Sequence, residues 1–283
     1  MAVPLRDDSP RRQVPWVVLA LIGLNVAVFL FLQPASLQQG RVDTASLTQE
    51  QDRELGEHYS EWGAVPCEVR ALEARADGAR CTSDADRPII DGKPVLASLL
   101  TSMFLHGSLA HLAVNMLFLW VFGAAVEDRF GPGPFLGLYL GGGLLATLTY
   151  VALESGSAAP LVGASGAIAA AMGAYLLIGP RRRILSFVAP LPLVVLALPA
   201  WALLGPFLIS QLVTPDDTAV AWQAHLGGMV AGFLIALVLR AVVPAPGEPP
   251  RRRRRSEALD AVDPRTWTLP DAPPTEEPSP ARS

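Results

Sequence analysis

Few side chains in the apolar stretches of this sequence can do chemistry, and four of them form a pattern. Ser165 lies in the run Gly163-Ala-Ser-Gly-Ala167, His225 precedes Gly228 and Gly232, and His111 and Asn115 stand four residues apart. A serine within reach of a neutral imidazole is a nucleophile with its general base. A second imidazole and an amide nearby can donate hydrogen bonds to a developing oxyanion. The chemistry such a set could perform is acyl transfer. Polar side chains are costly to bury in an apolar helix, so each is a candidate for function. Asn25 is a further polar residue of this kind, while His106 does not continue the helix face of His111 and Asn115 and reads as structural.

The elements that must position these residues follow from composition. Of 283 residues, 51% are hydrophobic and 17% charged, against about 25% charged in ordinary soluble domains. A simple soluble globule is excluded, and with 2 cysteines so is a disulfide scaffold. The net charge of −4 says little because the sign varies by segment; nucleic-acid binding would need a folded basic face, and none is expected. Charge-free runs of membrane-spanning size occur at Trp16–Leu32, Leu109–Val126, Phe135–Leu153, Leu161–Ile178, Leu191–Val213 and Ala219–Leu239. The predicted fold is therefore all-α, a polytopic six-helix membrane bundle. It comprises a cytoplasmic segment (1–15), a first span (16–32), an extracytoplasmic loop minidomain (33–94), a core with the other five helices (95–243) and a disordered Pro/Arg-rich cytoplasmic tail (244–283). The first apolar run is too long for the core of a cleavable signal peptide.

Arginine bias sets the orientation. Arg6, Arg11, Arg12, Arg129, Arg181 to Arg183, Arg240 and Arg251 to Arg255 all fall on one side of an alternating chain, and the loops Glu154–Pro160 and Thr214–Thr218 carry no Lys or Arg. Both termini are expected in the cytoplasm of a multi-pass protein, placed here in a bacterial cell membrane. The run Arg251 to Arg255 reads first as a topology signal and second as a contact for anionic lipid headgroups. The first loop holds Cys67 and Cys81, which either form a bridge worth about 3 kcal/mol or remain two free thiols. No Cys or His spacing suits a metal.

Depth then links the polar residues. With Ser108 as N-cap, His111 and Asn115 lie about 5–10 Å inside the outer end of the second span. Ser165 and His225 fall about 6 and 9 Å inside theirs if those spans start at Leu161 and Ala219. Small residues at Ser165, Ala169 and Gly173, and at Gly228 and Gly232, would let the fourth and sixth spans approach closely and bring Ser165 to His225.

Together Gly163-Ala-Ser-Gly-Ala167, His106-Gly-Ser-Leu-Ala-His111-Leu-Ala-Val-Asn115 and Ala224-His-Leu-Gly-Gly228 resemble the rhomboid intramembrane serine proteases, as does Gly123-Ala-Ala-Val-Glu-Asp-Arg-Phe-Gly131. The resemblance implies Ser165 as nucleophile and His225 as base, with His111, Asn115 and the Ser165 N–H as oxyanion hole. It implies structural roles for Glu127 and Arg129, no cofactor, and transmembrane proteins as substrates. Two departures stand out: Ala169 replaces an aromatic that some relatives pack on the base, so another residue must orient the His225 ring, and Trp62 is followed by Gly63 where some members have Trp-Arg. The prolines Pro190, Pro192, Pro199 and Pro206 should loosen the fifth span beside a lateral substrate route. The alternative function is a non-catalytic membrane-protein binder or chaperone on the same fold. A small-solute transporter is weaker, since no internal repeat is evident.

Overall fold

The computed structural model describes residues 2–8, 11–34, 49–74, 93–188, 195–213 and 220–244. Cys81, Pro190, Pro192, the start of the expected fifth and sixth spans and Arg251 to Arg255 lie outside them. The order is β1 (Ala2–Asp7), α1 (Trp16–Phe31), α2 (Gln49–Trp62), α3 (Pro66–Ala74), α4 (Val95–Thr101), α5 (Leu109–Phe118), α6 (Ala124–Phe130), α7 (Pro132–Leu153), α8 (Ser165–Ile178), β2 (Arg183–Val188), β3 (Val195–Pro199), α9 (Ala200–Leu212) and α10 (Trp222–Val242).

Among the described residues three helical stretches are long and apolar enough to cross a membrane: Leu109–Phe130, Pro132–Leu153 and Trp222–Val242. The first is α5 and α6 joined by one π-helical stretch, Leu119–Gly123. It ends at Gly131, whose φ of 86° suits glycine, and Pro132 starts α7, where its missing N–H costs nothing. Trp16–Phe31, Val95–Phe104, Ser165–Ile178 and Ala200–Leu212 are shorter apolar helical stretches.

The body is mostly helical, as predicted, but not wholly. β1 pairs antiparallel with β2, and β2 with β3, so Val3 faces Phe187 and Phe187 faces Val195. The expected fifth span is corrected in consequence: Val195–Pro199 is strand, and the helix begins at Ala200. The fourth is corrected too, because Leu161 lies in an extended bridge to Ala64 and the helix begins at Ser165 itself. Apolar composition alone does not separate a strand or an extended lead-in from the helix that follows it.

α8 is the central helix. Every residue from Gly166 to Tyr175 is buried, as a helix apolar on all sides requires. Its closest neighbour is α10, where small residues permit backbone contact. A Cβ on Gly232 would collide with the Ala170 backbone, one on Gly173 with the Met229 backbone, and one on Gly228 with the Gly166 carbonyl. The contact stripe on α8 is thus Gly166, Ala170 and Gly173: it keeps the predicted Gly173 and takes Gly166 and Ala170 in place of Ser165 and Ala169. Gly166 takes the seam, and Ser165 stands beside it.

The start of α1 is held from a distance. The Val17 and Val18 amides, orphan donors of the first turn, donate to the Glu127 carboxylate at 3.0 and 2.9 Å. Asp128 accepts the Arg12 and Gln13 amides at 2.8 and 3.1 Å, and the Arg11 guanidinium stacks 4.2 Å over Trp120. Glu127 is 1% exposed, and this double acceptance is its structural role.

Candidate active site

The segment before α8 carries the serine and is fixed on both sides. Ala64 and Leu161 exchange backbone hydrogen bonds, the Cys67 amide donates to the Ser157 carbonyl, and the Gly163 amide donates to the Ser102 carbonyl at 2.9 Å. Lys93 supports the grip: its buried ammonium donates to the Ser60 and Gly63 carbonyls and pairs with Glu68, so all three protons have acceptors. Cys67 is disulfide-bonded. Gly163 turns the chain at φ 130°, and Ser165 follows as the first residue of α8.

Ser165 Oγ lies 2.8 Å from His225 Nε2. The other ring nitrogen, Nδ1, lies 2.7 Å from Gln211 Oε1 on α9. The Phe207 ring, one turn earlier on α9, lies 6.1 Å from the imidazole at 39°. These two α9 residues occupy the surroundings of His225 that Ala169 leaves without an aromatic.

His111 is held by its helix start. Ser108 caps α5 as predicted, its Oγ accepting the His111 amide at 3.0 Å, and the Gly107 amide donates to His111 Nδ1 at 3.3 Å. That bond places the ring proton on Nε2. A Cβ on Gly163 would fall 3.2 Å from His111 Nε2 and 3.5 Å from Ser165 Oγ, so glycine keeps open the gap between the two groups. Asn115 is buried, and its Nδ2 donates to the His111 carbonyl at 2.9 Å. His106 is fully buried with its ring edge-on to His111, 5.3 Å between centroids, and its carbonyl accepts from Tyr59 and Gln33. Burial pushes the Tyr59 hydroxyl above its ordinary range, which keeps it a donor.

Ser165, His225 and His111 line one open cavity of about 590 Å³, with Tyr150, Glu154 and Gln223 on its wall. Gln223 donates to Glu154 across it. The structure therefore brings together three of the four predicted residues and keeps Asn115 one turn along α5. The sequence reading missed Gln211 and Phe207. The available signal was a hydrogen-bonding side chain near the end of an apolar run, four residues after an aromatic.

A family model described as the Rhomboid domain matches residues 93–242, more than half of the chain. This chain is a rhomboid. Among its relatives, Rhomboid protein 1, mitochondrial, of Saccharomyces cerevisiae is 33% identical over 170 residues, 57% of this chain and 46% of that protein. Rhomboid protease GluP of Bacillus subtilis is 35% identical over 144 residues, 50% of this chain and 25% of that protein. The human presenilin-associated rhomboid-like protein, mitochondrial, is 29% identical over 150 residues, 50% and 37% of the two chains. The rhomboid thus spans less than half the length of these relatives. Family and apolar helices together make it an integral membrane protein.

Proposed function

We propose that this rhomboid is an intramembrane serine endopeptidase that hydrolyses peptide bonds in or near transmembrane segments of other proteins. The observation that carries the reading is the 2.8 Å contact of Ser165 Oγ with His225 Nε2 at the wall of an open cavity. In acylation, Oγ attacks the scissile carbonyl carbon while its proton passes to Nε2. The C–N bond then breaks, and Nε2 returns that proton to the leaving amine. Water entering the cavity repeats the sequence: it gives a proton to Nε2, attacks the acyl carbon and frees the carboxyl product as Oγ recovers its proton. His111 Nε2–H, the second Asn115 amide proton and the Ser165 N–H at the start of α8 supply donors to the oxyanion. The name of the Bacillus relative, a rhomboid protease, points the same way.

The topology proposed with it has six spans and both termini cytoplasmic. The sheet supports it by pairing the N-terminal segment with the segment after α8, two stretches whose arginines assign them to one side. At 14 residues α8 is about 21 Å long, short of a bilayer core of about 30 Å. Ser165 then sits below the membrane surface, its half-buried extended lead-in lining the open cavity, a setting in which irregular backbone is tolerated at that depth. The bacterial cell membrane rests on the sequence; of the relatives, some are named mitochondrial and one comes from Bacillus subtilis.

The test is cleavage of a single-span model substrate by the purified full chain in lipid vesicles. Cleavage is expected, with loss by about 10³-fold or more in Ser165→Ala and in His225→Ala. Undiminished cleavage by Ser165→Ala overturns the assignment. Substrate capture without cleavage by the wild-type chain replaces it with the non-catalytic binder.

A further inference from the structure

The contact between Gln211 and His225 has a direction that the surrounding hydrogen bonds settle. Gln211 is 6% exposed, and its Nε2 donates to Ser210 Oγ at 3.1 Å and to the Phe207 carbonyl at 3.4 Å. Ser210 Oγ donates its own proton to that carbonyl at 2.6 Å, so it accepts from Gln211. With its amide protons committed, Gln211 turns its oxygen to His225, and an oxygen has no proton to give. The proton between them belongs to His225 Nδ1. A neutral imidazole protonated at Nδ1 has its lone pair on Nε2, the atom that faces Ser165.

We propose that Gln211 is a positioning residue for the base: its Oε1 accepts the His225 Nδ1–H and holds the tautomer in which Nε2 can take the Ser165 proton. The inference rests on the serine endopeptidase reading and adds a third member to the dyad. Phe207, four residues earlier on the same helix, lies beside the ring while Gln211 holds its edge. α9 thereby does from one side what Ala169 on α8 does not do from the other. The third member is a neutral amide, so it orients the imidazole and meets the imidazolium of the transition state with a dipole rather than a charge. The tautomer matters because an imidazole protonated at Nε2 presents a proton, not a lone pair, to the serine.

The test compares wild type, Gln211→Leu and Gln211→Glu in vesicles with the same single-span substrate, reading kcat and KM separately, the pH profile of kcat/KM and the melting temperature. Among the described residues the other titratable groups in the cavity with His225 are His111 on α5 and Tyr150 and Glu154 at the end of α7, and all stay constant across the series. Gln211→Leu, which cannot accept the proton, is expected to lower kcat about 10²-fold while KM moves less than about twofold. Gln211→Glu still accepts it, so kcat recovers, and the added carboxylate moves the acid limb of the profile to higher pH by favouring the imidazolium. Wild-type kcat in Gln211→Leu overturns the proposal. So does an acid limb in Gln211→Glu that stays where the wild type has it, and that arm decides even if Gln211→Leu does not fold. A wild-type chain that does not cleave, or a Ser165→Ala chain that does, is instead the failure of the endopeptidase reading, and the role of Gln211 falls with it.

Discussion

Gly232 of α10 lies against Ala170 of α8 so closely that a methyl group added to it would meet the Ala170 backbone, which cannot swing aside. Such contacts let two helices carry Ser165 and His225 to hydrogen-bonding distance. Gly232→Leu is therefore expected to separate α8 from α10, lowering the melting temperature and abolishing substrate cleavage. Gly137→Ala on α7 is the matched control. Nothing lies within 4 Å of its added Cβ, and replacing a mid-helix glycine should stabilise by about 0.5–1 kcal/mol. Thermal unfolding of both variants checks the pair; an unchanged melting temperature in Gly232→Leu would contradict the packing.

Gly163 guards the space between His111 and Ser165. Alanine there faces a φ of 130° and places a carbon 3.0 Å from His111 Cε1. Gly163→Ala should slow cleavage by about 10²-fold or more through displaced donors, while the far smaller change in helix packing leaves the circular-dichroism spectrum intact.

Lys93 and Glu68 are paired out of water, at 0% and 4% side-chain exposure. Lys93→Met leaves a buried carboxylate without its cation, and the loss should be about 3–5 kcal/mol. Removing both charges in Lys93→Met with Glu68→Leu should recover much of it. Denaturant unfolding of the single and double variants measures the difference, and equal stabilities would refute the account.

His58 on α2 gives the loop an acid sensitivity. Burial pulls its imidazole below the usual 6.5, outweighing Glu61 and Glu54. The folded state binds this proton less readily than the unfolded chain, so stability is full above the unfolded value and falls as the pH drops through it. Between about pH 7.5 and pH 5.5 the wild type should lose more melting temperature than His58→Phe.

The residues that read clearly from the sequence were those whose surroundings are set by local spacing. Ser108 caps α5, His111 shares its face with Asn115, and Gly228 and Gly232 mark a seam, because each depends on neighbours three or four positions away. The sheet was not legible. β1 finds its partner beyond α8, and no pattern within six residues signals a strand that distant. Gln211 escaped for a related reason: it sits where an apolar run fades, and its meaning lies in what α10 turns toward it. The change in the α8 stripe shows the same limit, since Gly166 and Ser165 are both small and only close packing against α10 chooses between them.

The Glu127 carboxylate holds the first turn of α1 and β2 pairs with β1, so both anchors of the N-terminal segment are made far downstream. During synthesis that segment emerges before its partners: among the described elements four helices, α2 to α5, separate α1 from the helix that carries Glu127, and eight, α1 to α8, separate β1 from β2. Contacts of such separation are slow to form. Assembly therefore closes at this segment: α1 waits as an unanchored rod until Glu127 arrives, and the strand before it waits until β2 follows α8.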